Sequence, residues 1–226
     1  MLHVRFIFTT MLAAALLGFA RADDSNRADD TFKVFPDSAG RAYFPKGRES
    51  YYTRYLAAMK EPSLMRNPKS ADAFALRFTW LRSFHDPIAV RIWRDGAQYQ
   101  IRAVRLARQQ DYRPGAASKD TTRALTKEVL SEIQRLNRDR ELWKPLNEQE
   151  ELAMSGGLDG SRWIFERLNG QDYSMIDLWS PKDSGPKEYK KAGVDVSKVR
   201  DFKEFVRVGL YLLRITKLTP KEDDIY

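Results

Sequence analysis

Two carboxylates, Glu166 and Asp177, sit on the stretch SRWIFERLNGQDYSMIDLW, and a pair of acids brought close together is the minimal equipment of a hydrolase. Asn169-Gly170 between two alternating runs reads as a two-residue hairpin turn. That turn sets Trp163 opposite Ile176, Ile164 opposite Met175, Glu166 opposite Tyr173 and Arg162 opposite Asp177. Both carboxylates then share a face, but farther apart than the roughly 5 to 10 Å used by glycosidases. Arg162 opposite Asp177 favours a structural ion pair over an acid–base pair. His85, in SFHDP, is the single histidine after residue 22, so a triad would have to use it. Its neighbour Asp86 points to the opposite side of an extended chain, and the segment reads as a turn. The glycine-rich stretch SGGLDGSRWIFE, Ser155 to Glu166, leads into a strand rather than a helix, and contains neither GxGxxG nor GK[ST]. Asp159 alone cannot furnish a calcium loop. The stretch is therefore expected to turn the chain.

A more suggestive set is Arg77, Arg91 and Arg102, with Trp93, Gln98 and Gln100 among them. In PIAVRIWRDGAQYQIRAVRLAR a turn at Asp95-Gly96 sets Ile92 opposite Tyr99, Val90 opposite Ile101 and Ile88 opposite Ala103. These six fall on one apolar face. The other face receives the arginines and Trp93, which together could form an anion-binding surface, although arginines also solvate open sheet faces routinely. The candidate binding residues are Arg77, Arg91, Trp93, Arg102, Asp159, Trp163, Glu166 and Asp177. No catalytic residue, metal ligand or cofactor is assigned.

The elements that must position these groups follow from periodicity. Ser50 can cap a helix over YYTRYLAAMK, with Tyr52, Tyr55, Leu56 and Met59 on one side and Pro62 after its end. FALRFTWLR reads as a strand that places Leu76, Phe78 and Trp80 opposite Arg77 and Thr79. DYRPGAASKD reads as a loop, and a helix capped near Asp120 carries Leu125, Val129, Ile133 and Leu136 at helical spacing. WSPKDSGPKEYKKAG reads as a loop. A final helix from Ser197 buries Phe202, Phe205, Val206, Gly209, Leu210 and Leu213, and Gly209 within it implies a close helix–sheet approach. The expected fold is α+β: an antiparallel sheet of about five strands, two hairpins plus one strand, with helices on one face.

At the N-terminus, MLHVR followed by FIFTTMLAAALLGFA and Ala20-Arg21-Ala22 has the form of a signal peptide, cleaved before Asp23. The apolar run is shorter than the roughly 20 residues a spanning helix needs. Removing 22 residues leaves 37 basic and 31 acidic residues, a net charge of +6, in a chain long enough for one ordinary domain. Residues 23–47 are expected to be a polar, partly disordered segment, 48–218 a single domain and 219–226 a tail. With no cysteine, the chain offers no thiol nucleophile, Fe–S cluster or cysteine-ligated zinc, and the fold holds by packing alone. Moderate basicity points to anionic partners: an acidic envelope component or another protein rather than nucleic acid.

YYTRYLAAMKEPSL, FALRFTWLRSFHDPIAVRI and GLDGSRWIFE…IDLWSP give the chain a resemblance to a family of bacterial exported proteins in which a YY-helix, an FHxP segment, a GLDG-W-E strand and a D-x-WSP end recur in this order. The resemblance spans roughly residues 50 to 215. It implies one exported bacterial domain, periplasmic or extracellular, and carries no activity or cofactor with it. The expected function is a non-enzymatic binding or accessory module of the bacterial envelope that recognises an anionic partner. The alternative is a hydrolase of an envelope polymer using Glu166, Asp177 or His85.

Overall fold

The computed structural model describes residues 48–65, 73–109, 113–155, 157, 159–182, 185–221 and 225. The expected signal peptide and the segment 23–47 lie outside the described residues, as does part of the C-terminal tail.

Six strands form one antiparallel sheet: β1 (Phe74–Arg82), β2 (Ile88–Asp95), β3 (Gln98–Arg108), β4 (Pro114–Ala124), β5 (Ser161–Asn169) and β6 (Asp172–Trp179), in the spatial order β4-β3-β2-β1-β5-β6. The helices are α1 (Arg48–Ala58), α2 (Lys127–Arg138), α3 (Glu148–Ala153), α4 (Pro186–Lys191) and α5 (Lys203–Ile215), with short 3-10 turns at Glu141–Trp143 and Val196–Lys198. The α+β class and antiparallel sheet are as expected. The sheet is larger than expected by one strand, because the supposed loop and helix start at PGAASKDTTRA is strand β4. Its mostly exposed side chains, its Pro114 and its charges hid the strand pattern, and those features are the usual means of blunting a sheet edge. A Cβ on Gly115 would lie 2.2 Å from the Ala107 carbonyl oxygen, so the irregular β3–β4 pairing there requires glycine.

Both hairpins slip by two residues from the expected register. Asp95 pairs with Gln98 and Asn169 with Asp172, so the turns are Gly96-Ala97 and Gly170-Gln171. Gly96 and Gly170 have φ of +58° and +61°, whereas the residue before each stays out of that region. Glycine thus takes the first central position of the turn, where a II′ geometry asks for it. A slip of two preserves faces, so the apolar face is as expected while the opposing pairs are not. Ile92 pairs with Ile101, Val90 with Ala103 and Ile164 with Asp177.

Helices cover both faces of the sheet, not one. On the first, α2 and α5 bury Ile133, Leu136, Phe205, Val208, Leu212 and Leu213 against Leu76, Phe78, Trp80, Trp163 and Phe165. Phe78 and Phe165 stack with centroids 4.7 Å apart, and Trp163 lies 5.2 Å from both Phe78 and Trp80. A Cβ on Gly209 would be 2.7 Å from the Trp163 ring, so glycine there lets α5 approach the sheet. The last helix begins at Lys203, later than expected, after the 3-10 turn. α3, which periodicity missed, is capped reciprocally by Asn147 and Glu150. α4, in the expected loop at WSPKDSGPKEYKKAG, has Pro186 at its start.

On the second face α1 packs Tyr52, Tyr55, Leu56 and Met59 over Leu81, Ala89, Val104, Ile164 and Met175. Lys60 closes α1 with φ of +54°, and the Glu61 N–H donates to the Leu56 carbonyl at 2.9 Å. That reversal brings Glu61 down onto the sheet.

Candidate functional site

The arginine-rich face expected to be open is the one α1 covers, and its charges fall into two groups. In the first, Arg77 is fully buried and forks onto Glu166, Nε to Oε2 at 2.5 Å and Nη2 to Oε1 at 2.6 Å. Its Nη1 donates to the Pro62 carbonyl at 2.7 Å and lies 3.5 Å from Glu61. Glu61, itself 1% exposed, accepts from Arg91 at 2.7 Å and Arg102 at 2.5 Å. Arg102 also donates to Asp120 on β4 at 2.9 and 2.7 Å. Tyr173 donates to Glu166 at 2.9 Å. Burial alone would lower the Arg77 pKa, but Glu166 and Glu61 more than offset it and raise it. The Arg91 pKa is lowered because burial outweighs its bond to Glu61. Arg91 stacks on Trp93 with its guanidinium carbon 4.1 Å from the ring centroid. Three arginines meet three carboxylates here, each with hydrogen-bonded partners, as buried charges require.

The second group lies where β1 ends and β5 begins. A cleft of about 190 Å³ is lined by Arg48, Tyr51, Tyr52, Leu81, Arg82, Ser83, Gly160, Arg162 and Trp179. Behind it Asp177 is 5% exposed and accepts the Tyr52 hydroxyl at Oδ2, 2.8 Å. Arg48 is 3.7 Å from Oδ2 and Arg162 is 3.6 Å from Oδ1. Both distances are attractive but too long for a hydrogen bond, and Oδ1 is buried without one. Burial raises the Asp177 pKa, against the pull of Arg162, Tyr52 and Arg48. Burial and Asp177 together raise that of Tyr52. Arg162 also donates to the carbonyls of Met154 and Ser155 at 3.0 and 3.1 Å, and Arg48 to Ser155 at 3.1 Å. The Arg162 guanidinium carbon lies 4.8 Å from the Trp179 ring centroid. Arg82 donates to the Asp86 carbonyl at 2.7 Å and stacks on Trp80.

The glycine stretch builds one wall of this cleft as well as turning the chain. A Cβ on Gly160 would sit 2.5 Å from the Trp179 ring and 2.6 Å from Ser180 Oγ, so only glycine lets the turn close on that tryptophan. The Gly160 carbonyl accepts the Ser83 N–H at 3.0 Å, tying the turn to the end of β1.

The sequence-selected residues are therefore divided. Arg77, Arg91, Arg102 and Glu166 are joined in the buried network, with Trp93 beside them. Asp177 backs the cleft. Its ion pair with Arg162 exists but runs diagonally, since Arg162 pairs directly with Trp179. Trp163 is fully buried on the opposite face, its indole N–H donating to Ser161 Oγ at 2.9 Å. Asp159 is exposed. Sequence reasoning missed Glu61, Arg48, Arg82, Tyr52 and Trp179 as partners. Only Glu61 left a usable trace, a lone acid beside the proline that follows α1. His85 lies in the turn after β1, where Asp86 accepts the Arg108 N–H at 3.0 Å. Among the described residues no three histidine or acidic side chains assemble as a metal-binding set, and no helix is long and apolar enough to cross a membrane.

No family model, curated protein or solved structure matches this chain.

Proposed function

We propose that the chain is an exported, non-enzymatic binding module of the bacterial envelope, and that the cleft between α1 and the Gly160 turn receives an anionic group of its partner. The observation that carries this reading is that Arg48 and Arg162 line one cleft, with Arg82 also in its lining, and that the described lining contains no carboxylate. A recessed site with one sign of charge and partly apolar walls concentrates counter-ions. The cleft is smaller than the roughly 300 to 1,000 Å³ of drug-sized sites, which suits a single group of a larger partner. Export is supported by the N-terminal sequence alone. The hydrolase alternative finds less support. Glu166 is fully buried and held by Arg77 and Tyr173, and Asp177 lies behind the cleft with no second acid in its lining.

The test is titration of the folded chain with small carboxylates and inorganic phosphate, followed by tryptophan fluorescence and calorimetry. Saturable binding is expected, weakened about tenfold or more in an Arg48→Gln/Arg82→Gln variant of unchanged thermal midpoint. Equal binding by the variant would remove the cleft from consideration.

A further inference from the structure

The orphaned oxygen of Asp177 narrows the class of anion. Tyr52 and Arg162 both line the cleft and both contact Asp177, so this carboxylate stands one side chain behind the surface. Its Oδ2 is satisfied by Tyr52. Its Oδ1, on the Arg162 side, is buried and makes no hydrogen bond among the described residues. A buried acceptor left in that condition is costly in a folded protein, and sites built to hydrogen-bond a ligand donor discriminate strongly against analogues lacking it. Arg162, which also donates to two backbone carbonyls, approaches Oδ1 only to 3.6 Å, and Arg48 approaches the other oxygen.

Resting on the anion-binding reading of the same cleft, we propose that the ligand is a hydroxylated carboxylate, the chemistry of a sugar acid. Its carboxylate is held by the Arg48 and Arg162 side of the cleft, and a hydroxyl of the same unit donates to Asp177 Oδ1. The anion draws the Arg162 guanidinium toward itself, which opens the approach to the carboxylate behind. A simple anion satisfies the arginines and leaves Oδ1 as it is. A hydroxy acid satisfies both.

The experiment compares glucuronate with cyclohexanecarboxylate, which matches it in charge and ring size but has no hydroxyl groups. Binding is followed through the Trp179 indole N–H resonance, assigned with a Trp179→Phe variant. Glucuronate is expected to bind about tenfold tighter or more, the effect of one charge-assisted hydrogen bond. Asp177→Asn, which keeps an acceptor for Tyr52 and presents an amide instead, is expected to erase that advantage while retaining cyclohexanecarboxylate binding. If that variant does not fold, the wild-type comparison decides by itself. Equal affinity of the wild type for the two acids overturns the inference and leaves the anion site standing. Binding of neither acid, where inorganic phosphate binds, also overturns it and points to a phosphate-bearing partner. Absence of all binding overturns the anion site and the inference together.

Discussion

The two groups of buried carboxylates under α1 differ in how closely their arginines bind them. Around Glu61 and Glu166 three arginines meet three carboxylates, joined by short, direct bonds and sealed by α1 and Pro62. Around the cleft Arg48 and Arg162 approach Asp177 only to 3.7 and 3.6 Å, and one Asp177 oxygen has no hydrogen bond among the described residues. Desolvating a charge is costly unless its partners are complete, so the first group is self-sufficient and reads as structure. The second leaves one oxygen of a buried carboxylate without a hydrogen bond among the described residues, and its ion pairs are longer than those of the first. Arginine content alone does not separate them.

The sharpest way to break the contrast is Glu166→Gln. It leaves Arg77 buried beside an uncharged partner, and a loss of about 3–5 kcal/mol in urea unfolding is expected; anion binding at the cleft should be unchanged in whatever fraction remains folded. Arg77→Met combined with Glu166→Met replaces both charges by apolar groups and should recover most of the stability. If the double variant is as unstable as the single one, the network contributes more than charge compensation.

pH separates the groups next. The Asp177 pKa is raised in the fold from its ordinary 3.8. Its contribution to stability is fully present below 3.8 and is lost as pH rises through the higher folded value. The wild type should therefore gain stability relative to Asp177→Asn as pH falls from neutral toward 3.8, read from urea midpoints at both pH values. A contrasting control comes from the exposed rim of the opposite face. Burial opposes ionisation of Glu204 there, but hydrogen bonds from Arg207 and Arg135 prevail and lower its pKa to about 2. That contribution is present above its ordinary 4.5 and is lost as pH falls toward about 2. Wild type minus Glu204→Gln should thus change in the reverse direction. The smallest stability effect is expected from Arg48→Gln, under about 1 kcal/mol, because its ion pair is long and partly solvated.

Much of the fold was legible locally. β1 occupies the nine residues FALRFTWLR that alternation selected, and the faces of β2 and β3 follow from the same rule. Gly209 was marked as a close approach because a mid-helix glycine needs a reason, and Trp163 is that reason. β4 was not legible, since an edge strand need not alternate when neither face is deeply buried. The Asn147 and Glu150 pair at α3 has the spacing of a capping box, a signature the periodicity of apolar residues does not register.

The candidate site was less legible than the fold. Arg77 and Glu166 were singled out separately, but nothing in their spacing showed that they pair across β1 and β5. The sequence by itself determined the α+β class, the apolar face of the central hairpin and the absence of thiol chemistry, because composition and alternation are local and survive a slip of two residues. The tertiary structure decided which arginines are spent internally and which line a cleft. That decision depends on where α1 lands, and on a single reversal at Lys60 that carries Glu61 onto three arginines while Tyr52, near the start of the same helix, meets Asp177. Contacts between residues as distant in sequence as Tyr52 and Asp177 leave no periodic trace, so only the folded chain brings them together.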